Sequence, residues 1–208
     1  NGMYYNEFKD LSDTNSKDEK LLRIKLFYKN KNNTTYDIAL YHIDSNNKYD
    51  MWTPDNNGYT TYTDYQGYDK QKTLALSIKR IIKLNKGTLT RISTYSDNKI
   101  TYSYDGDWGN NDYWSNPPYN WDSNYWGYDY SFPDSTNRIK KQKSKEIRFS
   151  NDSMTIGGYF SELKETDLRY GWIFAGADSM VSSFDIKNSS IYIHFNDNSE
   201  NKTQFNAT

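Results

Sequence analysis

Cysteine is absent from this 208-residue chain, proline occurs 4 times and glycine 11. Without thiols there is no disulfide framework and no thiolate metal site, so packing alone must hold the fold. The commonest general base is scarce as well: His42 and His194 are the two histidines, and no G-x-S-x-G elbow, P-loop or H-E-x-x-H motif is present. No apolar run approaches the roughly 18 residues of a spanning helix, so no membrane span is expected. Neither sign of charge dominates. A net charge of −1 lacks the basic excess of a nucleic-acid-binding chain, so no nucleic-acid partner is expected. Aliphatic side chains are also thin, and from Thr101 to Arg138 there is no Leu, Ile, Val, Met or Ala.

Aromatic residues take their place. With 21 Tyr, 9 Phe and 6 Trp, each ring burying roughly 150–250 Å², the chain can fold despite its polarity. Disordered chains combine high net charge with few aromatics, the opposite balance. Richness in Asn, Tyr, Ser, Thr and Asp resembles that of secreted or cell-surface proteins, which sets the expected localisation. Residues 1–19 read as a polar N-terminal tether, and 20–208 as a single domain with an aromatic-rich insertion at 105–134.

The periodic signal along that domain is alternation, the mark of half-buried strands. Leu22, Ile24, Leu26 and Tyr28 fall on one face of "LLRIKLFYK"; after the turn-rich "NKNNTT", Tyr36, Ile38, Leu40 and His42 alternate again. "TLALSIKRIIKL" fits a strand or a helix, and the "NKG" hairpin signal after it favours the strand. "SDNK" at Ser96–Lys99 reads as a turn, and "EIRFSNDSMTIGG" as a hairpin through Asn151–Asp152. "SELKETDLRYG" reads as a short helix with Ser161 as N-cap and Gly171 past its end. The last hairpin is expected to turn through Lys187–Ser189. Nine to eleven hairpin-linked short strands predict an all-β fold, an antiparallel sandwich of jelly-roll type with at most one or two helices.

Four motifs carry chemistry. "NPPY" at Asn116–Tyr119 resembles the catalytic signature of amino-group DNA and RNA methyltransferases. That family also needs an aliphatic strand before the motif and a glycine-rich cofactor loop, and neither is present, so Pro-Pro reads as a loop stiffener. Asp105, Asp107 and Asp112 in "DGDWGNND" supply hard oxygens that suit calcium, although the spacing misses the EF-hand pattern. The run "RIKKQKSKEIR" at 138–148 reads as a solvated basic strand face or an anion-binding patch. Finally, Trp108, Tyr113, Trp114, Tyr119, Trp121, Tyr125, Trp126 and Tyr128 recur in the insertion at neither helical nor strand spacing. Long loops of this kind are usually functional.

Flat rings stack on sugar C–H faces while nearby Asp and Asn take hydroxyls. The insertion therefore points to carbohydrate binding or adhesion, with a glycan or a cell-surface protein as partner. An alternative is a self-assembling subunit of a coat, filament or surface layer, in which the rings meet copies of the same chain. A second alternative is a β-sandwich polysaccharide-degrading enzyme, which needs two carboxylates facing one another in a cleft.

Overall fold

Alternation prevails along every long segment. The computed structural model describes residues 4–55, 57–120, 133–173, 176–195 and 206–207. In chain order the elements are β1 (Tyr5–Asn6), β2 (Leu11–Ser12), β3 (Glu19–Lys29), β4 (Thr34–Tyr49), β5 (Thr60–Thr61) and β6 (Gly67–Leu84). They continue as β7 (Gly87–Asp105), α1 (Asn111–Ser115), β8 (Pro133–Ser150), β9 (Met154–Ile173), β10 (Gly176–Phe195) and β11 (Asn206–Ala207). The fold is all-β, as the alternation predicts.

Its two sheets are very unequal. The larger is an antiparallel meander in the order β11-β10-β9-β8-β7-β6-β4-β3; the smaller has the order β2-β1-β5 and pairs β1 with β5 in parallel. Asparagines close the hairpins. Asn30 Oδ1 accepts the N–H groups of Asn32 and Thr34, and Asn151 Oδ1 accepts those of Ser153 and Met154.

Three expected breaks are absent, because both faces of the large sheet meet water and a polar cluster can then lie mid-strand. Ser96–Lys99 runs straight through β7, where Asp97 faces Lys141 at 3.9 Å and Thr94 Oγ1 meets Ser144 Oγ at 2.6 Å. Ser161–Gly171 is part of β9, not a helix: Glu162 pairs with Lys143 at 2.6 Å and Glu165 with Arg138 at 3.4 Å, both across the β8–β9 ladder. Lys187–Ser189 lies inside β10, opposite Glu162–Phe160 of β9, and makes no turn. The strands are correspondingly long, 16 to 20 residues in β4, β6, β7, β8, β9 and β10.

The register sorts side chains onto the two faces. On one face Leu22–His42–Leu74, Ile24–Leu40–Leu76 and Leu26–Ile38–Ile78 form an apolar block across β3, β4 and β6. Its neighbours toward β10 are charged, with Lys164 bridging Glu162 (3.4 Å) and Asp185 (3.2 Å). The basic run of β8 is thus neutralised chiefly by acids on β9. These exposed pairs each stabilise little. The apolar block is itself largely exposed, and all eleven residues of β3 are exposed.

Candidate functional site at the capped end of the sheet

The register brings one end of the sheet together with the small sheet and the aromatic insertion. Tyr49 pairs with Gly67, Tyr68 with Ser103, and Asp105 with Pro133, so the β4–β6 and β7–β8 connections emerge side by side. Residues 4–18, read from composition as a tether, fold into this cap. Asn6 is fully buried at its centre: Nδ2 donates to Asp50 Oδ2 (3.0 Å) and to Thr63 O and Oγ1 (both 2.8 Å), while Oδ1 accepts from Lys9 N (2.8 Å). Thr61 Oγ1 also donates to Asp50 (3.2 Å), and Gln66 Nε2 reaches Thr14 O (3.1 Å). Gly67 must be glycine here, because a Cβ would run into the backbone carbonyls of Tyr49 and Ser103.

Below the insertion lies a buried acidic turn. Asp105, 3% exposed, accepts the N–H groups of Asp107 (3.2 Å), Trp108 (3.1 Å) and Tyr65 (3.2 Å). Burial, then the adjacent Asp107 carboxylate, push Asp105 up to about 8; burial pushes Asp107 up to about 6. Burial also lowers Lys9, against the pull of Asp50, Asp105 and Asp64. Asp105 and Asp107 hold the turn together from inside by accepting its N–H groups.

The turn aims the rings. Trp108 has φ 63°, a left-handed backbone that a bulky residue adopts only when its surroundings impose it. Its indole is 42% exposed and stacks at 6.0 Å on Trp52, itself 49% exposed. Asn110 caps α1, its Oδ1 accepting from Tyr113 N (2.9 Å) and its Nδ2 donating to Tyr62 O (2.6 Å). That fixes Tyr113 against Tyr62, stacked at 4.5 Å, with Tyr119 at 5.3 Å from Tyr113. Trp114 points inward at 6% exposure, its Nε1 donating to Asp107 Oδ1 (3.2 Å), and packs so closely on Gly109 that a Cβ there would approach Nε1 to 2.5 Å. It is the one buried hydrophobic side chain among the described residues.

A cleft of about 630 Å³ opens on this array, within the range of small-ligand sites. Its walls are Tyr62, Tyr113 and Tyr119, with Phe8, Pro117 and Pro118 beside them. Glu7, Asp55, Asp112, Asn110 and Asn116 complete the lining.

Of the expected ligand-binding residues, Tyr113 and Tyr119 line the cleft, Trp108 forms the exposed indole pair, and Trp114 is enclosed, where it supports its neighbours and cannot stack on a ligand. Trp121, Tyr125, Trp126 and Tyr128 lie outside the described residues. The expected calcium triad does not assemble. Asp112 faces the cleft, whereas Asp105 and Asp107 are engaged by turn N–H groups, and among the described residues no three His, Asp or Glu side chains gather as a metal site. A calcium ion wants six to eight oxygens. Both histidines sit in strands, His42 in β4 and His194 in β10. Trp52, an isolated Trp in the turn-rich "MWTPDNNGY", is a site residue that the sequence reading missed; Tyr62 belongs to the series Tyr59, Tyr62, Tyr65 and Tyr68, whose three-residue spacing suggests a second set of rings facing the insertion or covering it.

Fold and cleft together define an all-β protein with a long open sheet and an aromatic, acidic cap at one end. No family model, curated protein or solved structure matches the chain.

Proposed function

We propose that this is a carbohydrate-recognition and adhesion module, secreted or displayed at a cell surface, that binds its glycan at the capped end. The observation that carries the reading is the cleft itself, lined by tyrosine and proline side chains together with carboxylates, with no lysine or arginine in the lining among the described residues. Sugar rings offer apolar C–H faces to such walls and hydroxyl donors to such carboxylates. The stacked Trp52–Trp108 pair adds a second exposed platform. Trp114 and Asp105, both buried, support these surfaces from beneath.

One observation favours a second reading, self-assembly. The chain exposes 14355 Å², against about 10,000 Å² for a compact monomer of its mass, and the apolar block on β3, β4 and β6 accounts for part of the excess. Electrophoresis through gels containing mixed neutral polysaccharides, run beside sedimentation velocity, separates the two. Retardation of a monomer supports recognition. Free migration together with concentration-dependent growth in size supports assembly and removes the glycan reading.

A further inference from the structure

The large sheet ends in an open strand. β3 is last in the strand order, and among the described residues only β4 pairs with it. All eleven of its residues are exposed, and neither a proline nor a bulge interrupts the ladder. Asn46 N donates to Asp18 O and Asn30 N to Thr34 O, both continuing the β3–β4 register. Hydrogen-bonded pairs alternate with non-bonded ones, so the even-numbered residues of β3 turn their backbone groups toward β4. The odd-numbered ones, Glu19, Leu21, Arg23, Lys25, Phe27 and Lys29, direct N–H and C=O outward. Such a row is a template for one more strand.

The sequence of that strand, "EKLLRIKLFYK", is complementary to itself about its central residue, Ile24. An antiparallel copy centred there sets Glu19 opposite Lys29, Lys20 opposite Tyr28, Leu21 opposite Phe27 and Leu22 opposite Leu26. Ile24 meets its own counterpart. Opposite charges thus pair at both ends and apolar side chains between them, the kinds of cross-strand pair that stabilise a sheet. Arg23 opposite Lys25 is the single poor match. Slipping two residues either way is worse: Leu21 then faces Lys25 or Lys29, and Arg23 or Lys25 faces its own counterpart. Slipping one residue sets outward backbone groups against residues already bonded to β4.

We propose that β3 pairs antiparallel with β3 of a second copy about a two-fold axis at Ile24, joining the two large sheets into one. The apolar block on β3, β4 and β6 then runs on across the axis, and the capped ends point in opposite directions. One strand edge buries little area, which makes this a reversible pairing of the weak class. It goes beyond the glycan reading and does not depend on it.

Because the chain has no cysteine, single-cysteine variants of the intact chain report the register. On the outer edge Ile24 is a non-hydrogen-bonded position, where facing Cα atoms stand about 4.5 Å apart, within disulfide reach. Under mild oxidation Ile24→Cys is expected to cross-link roughly tenfold or more faster than Leu22→Cys or Leu26→Cys alone. Mixing the last two should restore the faster rate. Sedimentation velocity over about 5–500 µM, without glycan, should show a monomer–dimer equilibrium. Lys25→Pro removes one outward N–H and keeps the ladder to β4; it should weaken the dimer roughly tenfold or more. Arg23→Glu, facing Lys25 of the second copy, should tighten it. A monomer throughout, a dimer indifferent to Lys25→Pro, or equal cross-linking at all three positions overturns the pairing. Growth beyond a dimer also overturns it, since an open assembly needs a second edge. Retardation by polysaccharide, read on Lys25→Pro, tests the glycan reading separately.

Discussion

The two ends of this chain's architecture are stabilised in opposite ways. The long sheet is ordered by ladder hydrogen bonds, with its leucines and isoleucines left largely in water; the cap is small, yet it contains the one buried hydrophobic ring among the described residues and a concentration of buried polar groups. A sheet open on both faces tolerates almost any side chain that fits a strand. A cap whose interior is Asn6, Asp50, Thr61, Thr63, Ser103 and Asp105 tolerates very little, because each buried donor must meet its acceptor. Specificity is therefore concentrated at the end that carries the cleft.

The largest expected effect comes from removing the centre of the cap. Asn6→Ala deletes Asn6's bonds to Asp50, Thr63 and Lys9 and leaves a carboxylate buried with fewer partners. It should cost about 3 kcal/mol in urea unfolding. Leu26→Ser, on the open face at 58% exposure, is the matching control and should cost about 0.5 kcal/mol. A large, concentration-dependent loss with Leu26→Ser would instead mean that a second copy covers the face.

A pH series sharpens the same contrast. Asp105 in the fold holds its proton up to about 8, whereas the unfolded chain releases it near 3.8. Between these values the folded state binds more protons than the unfolded one, so stability falls as pH rises, and the loss is complete above about 8. Asp107, raised to about 6, acts in the same direction over a narrower window. Asp105→Asn should therefore come close to the parent near pH 4 and exceed it at pH 8 by on the order of 5 kcal/mol, read as melting temperature across the series. Parallel curves for the two proteins would contradict this account of the buried turn.

How much of this was legible in the sequence follows the same division. Aliphatic residues stop at Ile100 and resume at Ile139, whereas β7 runs on to Asp105 and β8 begins at Pro133. Hairpins at Asn30 and Asn151 were readable because a local side-chain bond makes each turn. The rules that failed assume that one face of a strand is dry. In a sheet wetted on both faces, "SDNK" and "SELKETDLRYG" are ordinary strand, held by cross-strand ion pairs that no local pattern announces, and Lys187–Ser189 is strand through its pairing with β9. The site was half visible: Tyr113 and Tyr119 stood out by density. Trp52, Tyr62 and Glu7 join them through contacts between distant segments, while the local density of rings also drew in Trp114, which turns inward.

The account stands or falls on whether the capped end is the surface that recognises sugar. Glycan-array binding of the parent should be compared with Trp52→Ala/Trp108→Ala and with Tyr119→Ala, each checked for parental melting behaviour. The expected result is clear binding by the parent, lost or reduced roughly tenfold or more in the folded variants, and unchanged by Leu26→Ser on the sheet face. Array binding that survives both cap variants and disappears with Leu26→Ser would place recognition on the sheet and contradict the central claim.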